Sequence, residues 1–272
     1  MEIKYPNNKS RTIEYFKNFE NDMWGSSVLK KLICIDNPVI FDVGANIGNS
    51  LDAYKKIWGN SIVHCFEPQI ECFDVLEKKA IEYGNTFIIK HAVGSETIND
   101  VDFYTHDINI GLSGVNKINL NSKDSIVLND DTEYRDLFLN GITFEEYKTM
   151  LNKKRSVSMI RLDKYIDDNN IKKVDFIKID TQGHEIEVLC GLNNNLKNVH
   201  IILAELNFYD LYEKSFSFYD LESILHPMGF KLYDISYISK NPMNGRTDWV
   251  DVIYVNSTFG DYSDTQQIKL LE

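Results

Sequence analysis

The sequence predicts an α/β chain built on an open, mostly parallel sheet with helices on both faces. Short apolar runs alternate with segments of helical periodicity along most of the chain. The runs are nearly continuous rather than alternating in polarity, as strands covered on both faces require. The first run ends in a glycine, Gly44, at the turn into a helix. With 272 residues, 43% hydrophobic and 26% charged, the chain has ordinary folded-protein values and can bury a large core.

Taken in order, residues 11–35 read as helical. Ile13, Phe16, Phe19 and Met23 recur at helical spacing, and Val28, Leu29 and Leu32 follow Gly25. Residues 1–37 are therefore an N-terminal helical segment, and 38–256 the main domain. Val39–Gly44 is the first strand and Gly48–Trp58 the helix after it. Ser61–Phe66 is the second strand, ending at Glu67-Pro68. A helix over 69–83 places Ile70, Phe73, Leu76 and Ala80 on one face, and Thr86–Val93 is a third strand. From 105 to 155 the pattern gives way to Asn, Asp and Ser. That is too long for a loop, so it reads as an insertion. Within it Thr143 and Glu146 form a capping box for a helix over 144–152. The insertion's aromatics, Tyr104, Tyr134, Phe138, Phe144 and Tyr147, read as a small satellite core, or as stacking surfaces for a ring. Val174–Asp180 is a strand, 183–190 a helix and Val199–Leu206 a strand. A helix over 216–228 precedes strands at Gly229–Ile235 and Trp249–Val255. The polar tail 257–272 is expected to fray.

The 29 basic and 41 acidic residues leave a net charge of −12. An acidic chain is a poor partner for nucleic acid or anionic membranes, whose phosphates need a basic surface. Cys34, Cys65, Cys72 and Cys190 match no zinc-site spacing and are too few for a disulfide framework, so buried free thiols are expected. No signal-type segment opens the chain and no run of about 18 apolar residues spans a membrane. The expected location is the cytoplasm.

Chemistry in such a sheet gathers outside the carboxyl ends of the strands, where strand order reverses. The turn Asp42-Val43-Gly44-Ala45-Asn46-Ile47-Gly48 stands at one such end. Gly44 permits a tight turn with positive φ, small Ala45 lets a ligand approach the backbone, and Gly48 opens a helix whose amides face a polar group. Asn46 stands where the dinucleotide fingerprint has its middle glycine, so a nucleoside fits better than a pyrophosphate. Glu67 follows Gly48 by 19 residues and ends the next strand, where a carboxylate accepts from ribose hydroxyls.

Val39 through Gly48 resembles the first motif of class I S-adenosylmethionine-dependent methyltransferases. Asp175-Phe176-Ile177-Lys178-Ile179-Asp180-Thr181-Gln182-Gly183-His184-Glu185, running on to Gly191, resembles the signature of the FkbM-type members. Arg161–Tyr165 and Ile201–Glu205 fit the same order. Gln182 and His184 depart from it, standing where an acid and a small residue are expected. The resemblance covers about 38–255. It implies a Rossmann-like, seven-stranded sheet with an antiparallel last strand, and S-adenosylmethionine as cofactor. It places Asp42, Gly44 and Asn46 at the cofactor's amino-acid end and Glu67 at the ribose. Pro68, Gln69, His91 and Ala92 then border the adenine, and Asp180 faces the methionine end or the acceptor.

Methyl transfer to a hydroxyl needs a held nucleophile and a proton acceptor. Asp180, His184, Glu185 and Glu205 lie at the right strand ends, and Asp180 or His184 is the favoured base, with Glu205 a further catalytic candidate. Glu185 also suits a helix's first turn without any function. Lys178 is expected to pair with a neighbouring carboxylate, and His64 and His106 to be structural or solvated. Asp180, Glu185 and Glu205 are oxygen donors of the kind Mg²⁺ takes, but hydroxyl binding accounts for them equally, so no metal is expected. The expected activity is O-methylation of a sugar, glycan precursor or natural product. A nicotinamide-dependent oxidoreductase and a non-catalytic cofactor-binding module are the alternatives. The 105–155 insertion is expected to cover the acceptor.

Overall fold

The computed structural model describes residues 23–107, 109–122, 143–240 and 246–259. Alternate residues of the central strands feed two cores on opposite faces of one sheet. In β1 (Val39–Val43), Phe41 and Val43 enter one core and Ile40 the other. In β7 (Val174–Ile179), Ile177 and Ile179 oppose Phe176, and in β8 (Val199–Asn207), Ile202 and Ala204 oppose Ile201 and Leu203. This two-sided burial is why the runs are almost wholly apolar.

With β2 (Ile62–Phe66), β3 (Thr86–Ile89), β9 (Phe230–Lys240) and β10 (Thr247–Asn256), the sheet has seven strands in the order β3-β2-β1-β7-β8-β10-β9. β10, the last of the described strands, runs against the other six strands of this sheet. The order reverses between β1 and β7, and the backbone is stitched there on both sides. Gly44 N–H donates to Phe66 O at 3.0 Å, and Asp180 N–H donates to Val43 O at 3.0 Å.

The helices include α1 (Ser26–Leu32), α2 (Asn49–Ile57) and α3 (Ile70–Tyr83). On α3 the buried pair is Cys72 and Leu76, whereas Ile70 is 69% exposed, so the face is rotated from the expected one. The N-terminal helix breaks at Trp24 and Gly25, both at positive φ, and its expected portion over 11–22 lies outside the described residues.

The stretch read as one strand, Thr86–Val93, divides. β3 stays in the main sheet, while β4 (Ala92–Val93) joins β5 (Ile98–Thr105) and β6 (Lys153–Ile160) in a second sheet of order β4-β6-β5. The insertion therefore begins and ends in paired strands. Helix α4 (Phe144–Thr149) carries the expected capping box and is shorter than read, ending before 152. Tyr147 joins Ile118, Leu151, Tyr209, Leu211 and Tyr212 in a satellite core, while Tyr134 and Phe138 and the Phe144 side chain lie outside the description. A short helix that the sequence did not signal, α5 (Leu162–Asp168), buries Leu162 and Ile166. Helices α6 (Glu185–Leu192) and α7 (Phe218–Leu225) complete the domain. The tail from 260 onward lies outside the description. All four cysteines are free, Cys65 and Cys72 buried but Cys34 and Cys190 exposed, so burial holds for half of them. Among the described residues no helix is long and apolar enough to cross a membrane.

Candidate functional site

A cleft with about 630 Å³ of empty space, the open solvent at its mouth included, opens at the carboxyl ends of β1, β2 and β7. Its floor depends on Gly44, at φ 81°, where a Cβ would lie 1.9 Å from Asp180 O. Of the residues singled out for a cofactor, Gly44, Asn46, Glu67, Pro68, Gln69, His91 and Ala92 line the cleft. Asp42, Ala45 and Gly48 stand behind its wall. Asp42 is fully buried and accepts from Ser50 Oγ at 2.6 Å.

Glu67 is 2% exposed, and its two oxygens accept from Asn46 N and Gln69 N, each at 2.8 Å. Burial pushes its carboxyl up to about 7, although those backbone bonds hold it down in part. Lys178 is a buried tie between strands. Its ammonium lies 3.4 Å from Asp42 Oδ1 and 3.1 Å from Asp180 Oδ2, and donates to Gly44 O at 3.0 Å. Burial alone would depress it, but Asp180 and Asp42 outweigh that and hold it charged.

Of the three catalytic candidates, Asp180 and His184 line the cleft. The other oxygen of Asp180 accepts from Gln182 Nε2 at 2.6 Å. His184 is 6% exposed, with neither ring nitrogen in a hydrogen bond, and burial lowers its pKa so that it is neutral near pH 7. Glu205 is not brought to the cleft. It sits on β8 opposite Asp251 of β10, and Asn207 donates to it at 3.2 Å. Burial beside Asp180 and Asp251 raises its pKa well above the ordinary range.

Glu185 turns back rather than into the cleft, accepting from Thr181 N at 2.8 Å and Gly183 N at 3.3 Å. Burial pushes it up to about 7. The bonds of Asp180, Glu185 and Glu205 thus run to separate partners, with Glu185 Oε2 left buried and without a hydrogen bond. No group of three or more His, Cys, Asp or Glu side chains among the described residues is arranged to hold a metal ion. His64 Nδ1 lies 2.8 Å from the Tyr165 hydroxyl, and His106 Nδ1 accepts from Asn152 N at 3.1 Å, both structural contacts.

Sequence reasoning missed the segment that completes the wall, Gly111, Ser113, Gly114 and Val115, together with Thr181. Those residues lie in the stretch without periodicity, and only its glycines hinted at a close backbone approach. Gln69 Oε1, His91 Nδ1, Ser113 Oγ, Thr181 Oγ1 and both nitrogens of His184 are buried around this one cleft without a hydrogen bond, although His184 Nδ1 lies 3.6 Å from Glu187 Oε2.

The sequence model of the methyltransferase FkbM domain matches residues 42–232. The chain belongs to the FkbM methyltransferase family. The match begins at Asp42 in the first turn and takes in every lining residue of the cleft. The hexuronic acid methyltransferase AglP of Haloferax volcanii is 23% identical over 172 residues, which is 63% of this chain. The chain spans 57% of the length of that relative. Among solved structures, magnesium protoporphyrin IX methyltransferase from Synechocystis PCC 6803 with bound SAM is similar at 10% identity and a TM-score of 0.44, covering 94% of this chain and 87% of that one. A SAM-dependent methyltransferase from Aquifex aeolicus is similar at 12% identity and a TM-score of 0.42, covering 93% of this chain and all of that one, 100%. The FkbM chain has the mixed α/β class I sheet that its motifs implied, with the antiparallel last strand in place.

Proposed function

We propose that this chain binds S-adenosylmethionine in the cleft and methylates a hydroxyl of a sugar, a glycan precursor or a natural product. The observation that carries the reading is the ring of buried polar atoms without partners around one cleft. Buried polar groups are nearly always paired, so their clustering calls for a polar ligand. A nucleoside fits them. Glu67 has a lone pair left on each oxygen for ribose hydroxyls, and Pro68, Gln69, His91 and Ala92 border the base. Gly44 and Asn46 meet the amino-acid end from the backbone side. Lys178, backed by Asp42, holds Asp180 toward that end or toward the acceptor.

S-adenosylmethionine, when bound, supplies an electrophilic methyl group on a sulfonium. The protein's own contribution is positioning and a proton acceptor. His184 suits the second task, because it is neutral, lines the cleft and makes no hydrogen bond through its Nε2, while its Nδ1 faces Glu187 at 3.6 Å. Both oxygens of Asp180 are already engaged. Glu205 is outside the cleft lining, and the nearby Asp180 charge is one cause of its raised pKa. Of the 105–155 stretch, Gly111, Ser113, Gly114 and Val115 line the cleft and are assigned to the acceptor side. The name of the relative AglP favours a sugar acid among acceptors.

Calorimetry tests the reading. S-adenosylmethionine and S-adenosylhomocysteine are expected to bind and NAD⁺ not to bind. Binding of NAD⁺ alone would replace this reading by the oxidoreductase one. With an acceptor found by screening sugar nucleotides and glycans, His184→Asn should lower turnover by about 10²–10⁴-fold while retaining S-adenosylhomocysteine affinity. Unchanged turnover would remove His184 as the base.

A further inference from the structure

The cleft is bridged by a segment tied to both of its sides. On the β2 side, Gln69 Nε2 donates to Ile110 O at 3.2 Å. On the β7 side, Asn116 Nδ2 donates to Gly183 O at 2.6 Å. The segment also pairs with the stretch after β8, where Asn119 N donates to Leu211 O at 2.7 Å and Glu213 N to Lys117 O at 2.8 Å. This pairing delivers Tyr212, 2% exposed, to the loop after β7. Its ring packs on Gly183, where a Cβ would lie 3.0 Å from Tyr212 Cδ2. Its hydroxyl donates to Gln182 Oε1 and lies 3.3 Å from Leu112 O.

We propose that Gln182 and Tyr212 form a positioning relay, in which Tyr212 holds the Gln182 amide so that its N–H fixes Asp180, and thereby ties the bridging segment to the cofactor site. The proposal rests on the cleft being the cofactor site. Its chemical basis is the amide, which accepts from a phenol on one side and donates to a carboxylate on the other. A glutamate at 182 keeps the first bond but sets two carboxylates against each other. A methionine keeps the shape and makes neither bond. Asp180 then loses the contact that, with Lys178, fixes both of its oxygens.

The loop backbone does not depend on the Gln182 side chain. Gln182 and Gly183 take positive φ, 59° and 87°, and Glu185 caps the amides of Thr181 and Gly183. Variants at 182 therefore test the relay and not the loop.

The test uses S-adenosylhomocysteine, read by calorimetry for affinity and by a chase with unlabelled ligand for dissociation. Gln182→Met and Tyr212→Phe should each weaken binding by about tenfold, the scale of a lost hydrogen bond to a charged group or its support. The double variant should be no weaker than Gln182→Met alone, because the two residues act in series. Tyr212→Phe should also release the ligand faster, since one tie of the bridging segment is cut. Gln182→Glu supplies a readout that packing alone would not move. Lowering the pH from 8 to 5.5 should restore its affinity relative to wild type, because the protonated acid again donates to Asp180. The neighbouring titratable groups Lys178, Asp180, His184, Glu185, Glu205 and Asp251 are common to both proteins and cancel in that ratio. Variants that bind and release like wild type, additive losses in the double variant, or an affinity ratio flat with pH would overturn the relay. A wild-type chain that binds no S-adenosylhomocysteine would overturn the cofactor reading, and the relay with it.

Discussion

Glu67 shows what a single residue in this chain is built to do. Two backbone amides hold its carboxylate at the end of β2, and burial pushes it up to about 7. Hydroxyl donors favour the ionised form, so cofactor binding should pull its pKa down. The affinity for S-adenosylmethionine is then higher at pH 8 than at pH 6, where the free protein's carboxyl is mostly protonated. Glu67→Gln keeps the shape and should cost about 1–3 kcal/mol of binding at pH 8, with most of the pH dependence removed. Calorimetry at the two pH values checks this, and an unaltered affinity takes Glu67 out of the ribose site. Glu67 was legible because it ends an apolar strand at a fixed distance from a glycine turn. Lys178 was legible too, since an ammonium amid apolar strand residues requires a carboxylate, and it meets Asp42 and Asp180. Glu205 was misplaced by the same logic. It lies near a strand end, but its strand pairs with antiparallel β10, and Asp251 faces it there.

At the scale of elements, the strands of the main sheet were readable because burial on both faces demands apolar runs. β5, β6 and α5 were not. β5 and β6 expose much of their surface and carry charges such as Asp102 and Lys154, which pair across them. Their neighbour α5 spans only seven residues. What seats α6 against the second sheet is a glycine contact. A Cβ on Gly191 of α6 would lie 2.2 Å from Gly94 O, just after β4. That backbone cannot move aside as a flexible side chain would. Gly191→Ala should therefore destabilise the protein by about 1–3 kcal/mol, the range for overpacking. Thermal denaturation measures it, and an unchanged midpoint would show that α6 and the second sheet are not locked at this point.

Among the described residues, several buried carboxylates around the site share the buried cation Lys178, and this governs the response to pH. Glu67, Glu185 and Asp251 are pushed up to about 7 by burial, and Glu205 is raised with them. Between the unfolded values, about 4, and 7, the folded state binds more protons than the unfolded state, so stability falls as pH rises through that window. His64 and His106, pushed down to about 4 by burial, act in the opposite sense below about 6.5, where the unfolded histidines gain protons. From about pH 6.5 to 8 the unfolded histidines lose their remaining protons, and the acids outweigh this fading opposition. The thermal midpoint of the ligand-free protein should be lower at pH 8 than at pH 6.5 at constant ionic strength, and a level or rising midpoint would contradict this. The sequence alone determined the sheet, its switch point, the Gly44 turn and the acid after β2, because periodicity and burial are written locally. Only the tertiary structure decided which carboxylates reach the cleft, that Gln182 donates to Asp180, and that Tyr212 reaches Gln182 across 30 residues and Leu112 across 100. Those pairings join segments without periodicity, and close approach in space leaves no mark on residue order.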